Sequence, residues 1–259
     1  MTLFVDSHCH LDRIELAPFG GEFARFMAEA QARGIEAMLC VSINLEEFPA
    51  MYALVKDYAQ VSISVGVHPN ELGGAEATAE RLASLAVTRG AVAIGETGLD
   101  FYRSQGDLGW QHDRFRTHVQ AARKTKLPLI VHSRAAKEDT LRILQEEGAA
   151  DVGGVLHCFT EDWDMACRAM DLNFYISFSG IVTFRNAQTL KAVAKKVPED
   201  RLLIETDSPY LAPVPFRGKP NNPLYVHLVA EHIAALRGVS VERIAELSAG
   251  NFHTLFRSA

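Results

Sequence analysis

Two histidines one residue apart, His8 and His10, stand in the stretch LFVDSHCHLD at residues 3–12. Leu3, Phe4 and Val5 are apolar and β-prone, so the stretch reads as a buried strand. Side chains alternate across a strand, which sends His8 and His10 to one side and Cys9 to the other. Two imidazoles on one face at a strand end suit a divalent metal, with Asp6 and Asp12 close enough to orient them. A His-x-His pair alone would fit a polar turn better. The reading gains weight because His, Glu and Asp recur after later apolar runs.

The recurrences are ordered along the chain. The run at 61–67 ends in Gly66-Val67-His68-Pro69, and that at 91–94 leads into Gly95-Glu96-Thr97-Gly98-Leu99-Asp100. Run 127–131 is followed by His132-Ser133-Arg134, run 152–156 by His157-Cys158-Phe159, and run 201–204 by Glu205-Thr206-Asp207-Ser208-Pro209. With residues 3–5, 35–41 and 173–177 these make eight β-like runs. Six of the eight deliver an ionisable, ligand-capable side chain to the same end.

Amphipathic helical patterns separate the runs, at 22–33, 45–58, 75–89, 108–126, 135–147, 162–171 and 187–197. Three more follow the last run, at 223–236, 241–249 and 251–257. Short buried strands joined by helices predict a parallel sheet with helical crossovers. Eight units without a break predict an α/β fold of the (β/α)8 TIM-barrel type, in one domain over 1–259; a doubly wound sheet is the alternative. In such a barrel the catalytic groups sit at strand C-termini, which is where these residues fall. The stretch 207–223 carries five prolines and reads as a long structured loop. His112, His118, His227, His232 and His253 fall within helical patterns at spacings that make no metal clip, and read as ordinary helix residues.

Composition narrows the class. A chain of 259 residues, 48% of them hydrophobic and 22% charged, is globular and large enough for one sizeable core. Cys9, Cys40, Cys158 and Cys167 show no C-x-x-C spacing and read as reduced structural residues. No basic n-region with an apolar h-region opens the chain, and no apolar run approaches the roughly 18 residues of a membrane helix. A cytoplasmic protein without membrane contact, monomeric, is therefore expected. A net charge of −6 argues against coating duplex DNA nonspecifically, but not against a local anionic-substrate site.

In their order the motifs DSHCHLD, GVHP, GETGLDFYR, LIVHSR, LHCF, ETDSPYLAP and RGKPNNP resemble the TatD family of metal-dependent deoxyribonuclease-like hydrolases, within the amidohydrolase superfamily. The resemblance covers essentially the whole chain. Thr97, where an aliphatic residue is more usual, and Ala135-Ala136, in place of a more polar pair, are departures that touch no expected ligand. The resemblance implies a metal centre of His8, His10, Glu96, His132, His157 and Asp207. Glu96 would bridge two divalent metals (Mg, Zn or Mn); His8, His10 and Asp207 would complete one site, and His132 and His157 the other. Four imidazoles and two carboxylates exceed what one tetrahedral ion with an open position needs. Many superfamily relatives bridge with a carboxylated lysine, but residues 91–100 contain no lysine.

Asp207 is the expected proton acceptor, with Glu205 on the same strand face lying deeper to orient neighbouring groups. His68 is expected to contact the substrate or to support a ligand from behind. Arg13, Arg103, Arg134, Arg185, Arg217 and Lys219 fall in loops that share one barrel face, a basic crown suited to phosphate, with Arg134 and Arg217 the leading substrate contacts. Phe101, Tyr102, Trp110, Phe159, Trp163, Phe184, Tyr210 and Phe216, in or beside the same loops, could stack on bases. These features point to a two-metal phosphodiesterase acting exonuclease-like on nucleic-acid ends, most simply single-stranded DNA, with a metal-activated water. A hydrolase of small amides, lactones or phosphoesters is the competing reading, and a non-catalytic metal-binding scaffold a third.

Overall fold

The computed structural model describes residues 2–257. Its strands are β1 (Phe4–Cys9), β2 (Ile35–Cys40), β3 (Val61–Val65), β4 (Ala93–Asp100), β5 (Leu129–Arg134), β6 (Gly154–Leu156), β7 (Phe174–Phe178) and β8 (Leu202–Ile204). They pair in chain order, each parallel to the next. The seam between β8 and β1 closes just past β8. There the Asp207 N–H donates to the His8 carbonyl at 2.9 Å and the His10 N–H to the Ser208 carbonyl at 2.8 Å. The expected (β/α)8 barrel is therefore the fold, and the doubly wound alternative is excluded.

Seven helices fill the crossovers: α1 (Phe23–Ala32), α2 (Phe48–Val55), α3 (Ala79–Arg89), α4 (Gly109–Thr125), α5 (Lys137–Glu146), α6 (Trp163–Asp171) and α7 (Gln188–Lys196). After β8 come α8 (Val226–Arg237) and α9 (Val241–Leu255). Side-chain caps start several of them: Thr78, Asp162 and Ser240 accept the N–H groups of Arg81, Met165 and Arg243. The helices expected at 241–249 and 251–257 are one. Gly250 costs a helix roughly 1 kcal/mol relative to alanine, less than the burial of Ile244, Ala245 and Phe252 returns. Among the described residues no helix is long and apolar enough to cross a membrane.

Strand alternation divides the core in two. Leu39, Ile130, Val155, Tyr175 and Leu203 point into the barrel, where Phe252 and Phe256 of the α9 segment join them. Met38, Cys40, Leu129, Val131, Leu156, Phe174, Ile176, Leu202 and Ile204 point outward against the helices. The interior carries on upward by twos, Ile130 to His132, Val155 to His157 and Leu203 to Glu205, so apolar layers turn polar at the barrel mouth.

Candidate metal centre

Two strands need more than alternation to present their ligands. In β1, Val5 belongs to the interior and Ser7 bonds there to the Ile204 carbonyl at 2.9 Å, so strict alternation would turn His8 outward. The β1–β2 register runs Asp6↔Met38 then Cys9↔Cys40, three residues against two. That bulge shifts the phase, sending His8 and His10 inward and Cys9 out. β4 repeats the device, with Ile94↔Leu129 followed by Thr97↔Val131, and Glu96 in the extra position. Glycine permits it. Gly95 has φ +147°, and a Cβ there would lie 2.6 Å from the Ile130 carbonyl oxygen; Gly98, at φ +127°, would put one 2.0 Å from that of His132.

Four of the ligand candidates, His8, His10, His132 and His157, converge on a fifth, Glu96, which is 2% exposed. Its Oε2 lies 3.4 Å from His8 Nε2 and 3.9 Å from His10 Nε2. Its Oε1 lies 2.7 Å from His157 Nε2, 3.2 Å from His132 Nδ1 and 3.4 Å from His68 Nε2. Asp207 Oδ1 completes the first side, 3.8 Å from His8 Nε2 and 3.5 Å from His10 Nε2. Three sets could hold an ion: His8, His10 and Asp207; His8, Glu96 and His157; His68, Glu96 and His132. Two ligand atoms about 2.1 Å from one ion at a tetrahedral angle stand about 3.4 Å apart. The observed spacings bracket that value, and nitrogen with carboxylate oxygen is an apt donor set for a divalent metal.

Contacts behind the rings decide which nitrogen carries the proton. His10 Nδ1 donates to the Val41 carbonyl at 2.9 Å, leaving Nε2 as a lone pair toward Glu96. His132 Nε2 donates to Asp100 Oδ2 at 3.3 Å, leaving Nδ1 free. His157 Nδ1 lies 3.4 Å from Glu205 Oε1, close enough for attraction but not aligned as a hydrogen bond. Asp100 stands at the end of a run noted in the sequence, but its supports Asn70 and Gln111 carry no such signal. Asn70 Nδ2 donates to Asp100 Oδ2 at 2.8 Å, and buried Gln111 accepts the Asp100 N–H at 3.0 Å.

Electrostatics follow from the crowding. Burial alone would raise the Glu96 carboxyl, but the surrounding histidines, His157 foremost, outweigh it and hold it well below the usual carboxylate range. Burial also opposes ionisation of Asp207, but the imidazoles of His10, His8 and His157 close to it override that, so its pKa is lowered. Burial pushes His68 down to about 3, leaving it neutral.

Several expectations change. β8 ends at Ile204 and Asp207 adopts φ +55°, so Glu205 and Asp207 do not share one strand face. Glu205 is fully buried, accepting the Cys158 N–H at 2.7 Å, whereas Asp207 opens on the cleft. Asp6 orients backbone rather than an imidazole ring: it accepts the N–H groups of His8 and Thr206 across the seam. Asp12 faces Arg13. His118 is not an ordinary helix residue. Fully buried, it donates from Nδ1 to the Arg114 carbonyl at 2.8 Å and accepts the Val67 N–H on Nε2 at 2.9 Å, fixing the backbone beside His68.

The site opens into a cleft of about 620 Å³ whose wall includes Arg103, Arg134 and Tyr210. The Arg134 guanidinium lies over the Tyr102 ring at 4.1 Å. Arg217 lies over Phe184 at 4.4 Å and does not line the cleft, and Arg13 is paired with Glu47. Of the loop aromatics, Phe159 is buried and Phe216 stacks on Tyr225, while Tyr102 and Tyr210 stay exposed near the mouth. The basic crown is thus narrower than six residues.

Comparison with known proteins places this geometry. Residues 5–257 match the family model described as TatD related DNase. The chain is 49% identical over 252 residues to YcfH of Escherichia coli (strain K12), an uncharacterized metal-dependent hydrolase, covering 97% of this chain and 95% of YcfH. It is 39% identical over 258 residues to the uncharacterized metal-dependent hydrolase YabD of Bacillus subtilis (strain 168), covering 98% and 99%. The crystal structure of YJJV, a TatD homolog from Escherichia coli K12, superposes with a TM-score of 0.89 at 28% identity, covering 99% and 98%.

Proposed function

The chain belongs to the TatD related DNase family and is a metal-dependent hydrolase; from that premise we propose that it is a two-metal phosphodiesterase cleaving DNA, single-stranded and from an end. One observation carries the metal count. The two oxygens of Glu96 face two separate sets of imidazoles, Oε2 toward His8 and His10 and Oε1 toward His132 and His157. His8, His10, Glu96 and Asp207 would hold one ion, and Glu96, His132 and His157 the other. Bound there, divalent ions would supply an attacking water of lowered pKa and polarise the scissile phosphoryl oxygen.

The residues around that centre have separable tasks. Asp207, ionised and open to the cleft, accepts the proton released on attack. Glu205 lies beneath His157 and holds the Cys158 backbone, which keeps the β6 end in register with the site. Arg134 and Arg103 supply guanidinium forks for phosphate oxygens, and Tyr102 and Tyr210 offer ring faces at the mouth.

A second reading has its own support. A cleft of about 620 Å³ with two arginines in its wall also suits a small amide, lactone or phosphoester. Assaying metal-defined protein on labelled single- and double-stranded DNA, RNA and small esters separates the two. Processive shortening of single-stranded DNA supports the nuclease reading. Turnover confined to small esters would replace it.

A further inference from the structure

Five imidazoles surround Glu96, and one is held the other way round. His68 Nδ1 accepts the backbone N–H of Asn70 at 3.0 Å. A ring nitrogen that accepts an N–H cannot itself carry a proton, so neutral His68 is protonated on Nε2. That nitrogen faces the cleft, 3.4 Å from Glu96 Oε1. His10 and His132 turn bare nitrogens toward the site; His68 turns an N–H. A protonated ring nitrogen has no lone pair to give a metal.

The segment carrying this ring is fixed from several sides. The Asn70 side chain donates to Asp100 at 2.8 Å and accepts the Ser104 hydroxyl at 2.9 Å. Buried Arg114 donates to the carbonyls of His68 at 2.9 Å and Glu71 at 2.8 Å, and pairs with Glu76. His118 holds the Val67 N–H one residue earlier. Turning the ring over would aim Nδ1 elsewhere and strand the Asn70 N–H without its acceptor, at a site where the surrounding backbone cannot follow.

We infer that His68 is a substrate-binding hydrogen-bond donor, its Nε2–H directed at the anionic oxygen of the scissile group, and not a third ligand beside Glu96 and His132. A neutral N–H gives a directed bond that strengthens as charge develops on the oxygen. It does so without adding a permanent charge to a wall that already holds Asp207 and Arg134. The identity of that oxygen as phosphoryl rests on the function proposed above; the orientation of the ring does not.

The test uses nitrogen-15-labelled protein loaded with zinc, with the His68 signals assigned by their loss in His68→Gln. The expected spectrum shows Nε2 protonated and Nδ1 bare. Zinc content of His68→Ala should equal that of the unaltered protein, and its kcat on the best substrate should fall about 100-fold, the loss typical of one such donor. A bare, metal-bound Nε2, or loss of a zinc equivalent in His68→Ala, overturns the inference. A protonated Nε2 with full zinc in a protein that cuts no phosphodiester supports the donor role and removes the nuclease assignment instead.

Discussion

Asp100 Oδ2 lies 3.3 Å from His132 Nε2, and every other contact of that carboxylate is also with a donor. Asn70 Nδ2 reaches Oδ2 at 2.8 Å, and the N–H groups of Tyr102 and Arg103 reach Oδ1 at 3.0 and 2.9 Å. Only a group that accepts on both oxygens satisfies all four. An asparagine must turn its NH2 against one pair of donors whichever way it lies. Asp100→Asn is therefore expected to disturb the His132 tautomer and lower affinity at the second metal position by about 10- to 100-fold, as loss of such supporting partners usually does. Titration calorimetry with zinc checks this. Unchanged affinity would mean that His132 holds its orientation without Asp100.

The division of labour between Asp207 and Glu205 predicts distinct phenotypes. Asp207→Asn removes the ionised group that opens on the cleft and should reduce single-turnover cleavage by at least about 1000-fold, given what base catalysis and one ligand contribute. Glu205→Gln keeps an acceptor for the Cys158 N–H and should retain most bound metal with a smaller loss of rate. Equal rates for Asp207→Asn and the unaltered protein, both metal-loaded, would assign the base elsewhere.

Arg134 and Arg217 should now behave differently. Arg134 lines the cleft and rests on Tyr102; Arg217 rests on Phe184 outside it. If Arg134 neutralises a DNA phosphate, Arg134→Ala should reduce the salt slope of single-strand binding by about 0.7 log units per decade. Arg217→Ala should leave the slope nearer its original value, and hydrolysis of a small neutral ester should change little in either variant. Identical salt slopes for all three proteins would reduce Arg134 to ordinary surface charge.

His118 predicts a pH dependence of stability. Burial lowers its pKa from 6.5 to about 4, so between these values the unfolded chain binds a proton that the folded chain refuses. Its contribution is present above pH 6.5, is lost as pH falls toward 4, and stays lost below. That depression is worth roughly 3 kcal/mol. Gln at this position can serve both the Val67 N–H and the Arg114 carbonyl without titrating. Urea unfolding of chelator-treated proteins at pH 7 and pH 4 should show His118→Gln losing about 3 kcal/mol less than the unaltered chain. Parallel losses would show that His118 does not control acid sensitivity.

The sequence reading reached the barrel because each strand's apolar pattern is local: Leu129, Ile130 and Val131 read as a buried strand without knowledge of their neighbours. The inward direction of His132 and His157 was legible for the same reason, since they continue the inward phase of Ile130 and Val155. The bulges were not legible. Nothing at Asp6 or Gly95 alone announces that three residues will oppose two, and only the partner strand's register reveals it. The roles of His118 and Gln111 were hidden too, because their partners Val67 and Asp100 lie on other elements. Arg217 looked equivalent to Arg134 because a loop's position on the barrel face does not say which way its side chains turn.

If Glu96 joins two metal positions, the metal content of the protein and its variants will show it. Folded protein, equilibrated with zinc and freed of excess, should carry two ions per chain. His132→Ala should carry about one, and Glu96→Ala should lose affinity at both positions together, since its two oxygens face the two sets. Two tightly held ions in correctly folded Glu96→Ala, or a single ion in the unaltered chain, would contradict the account.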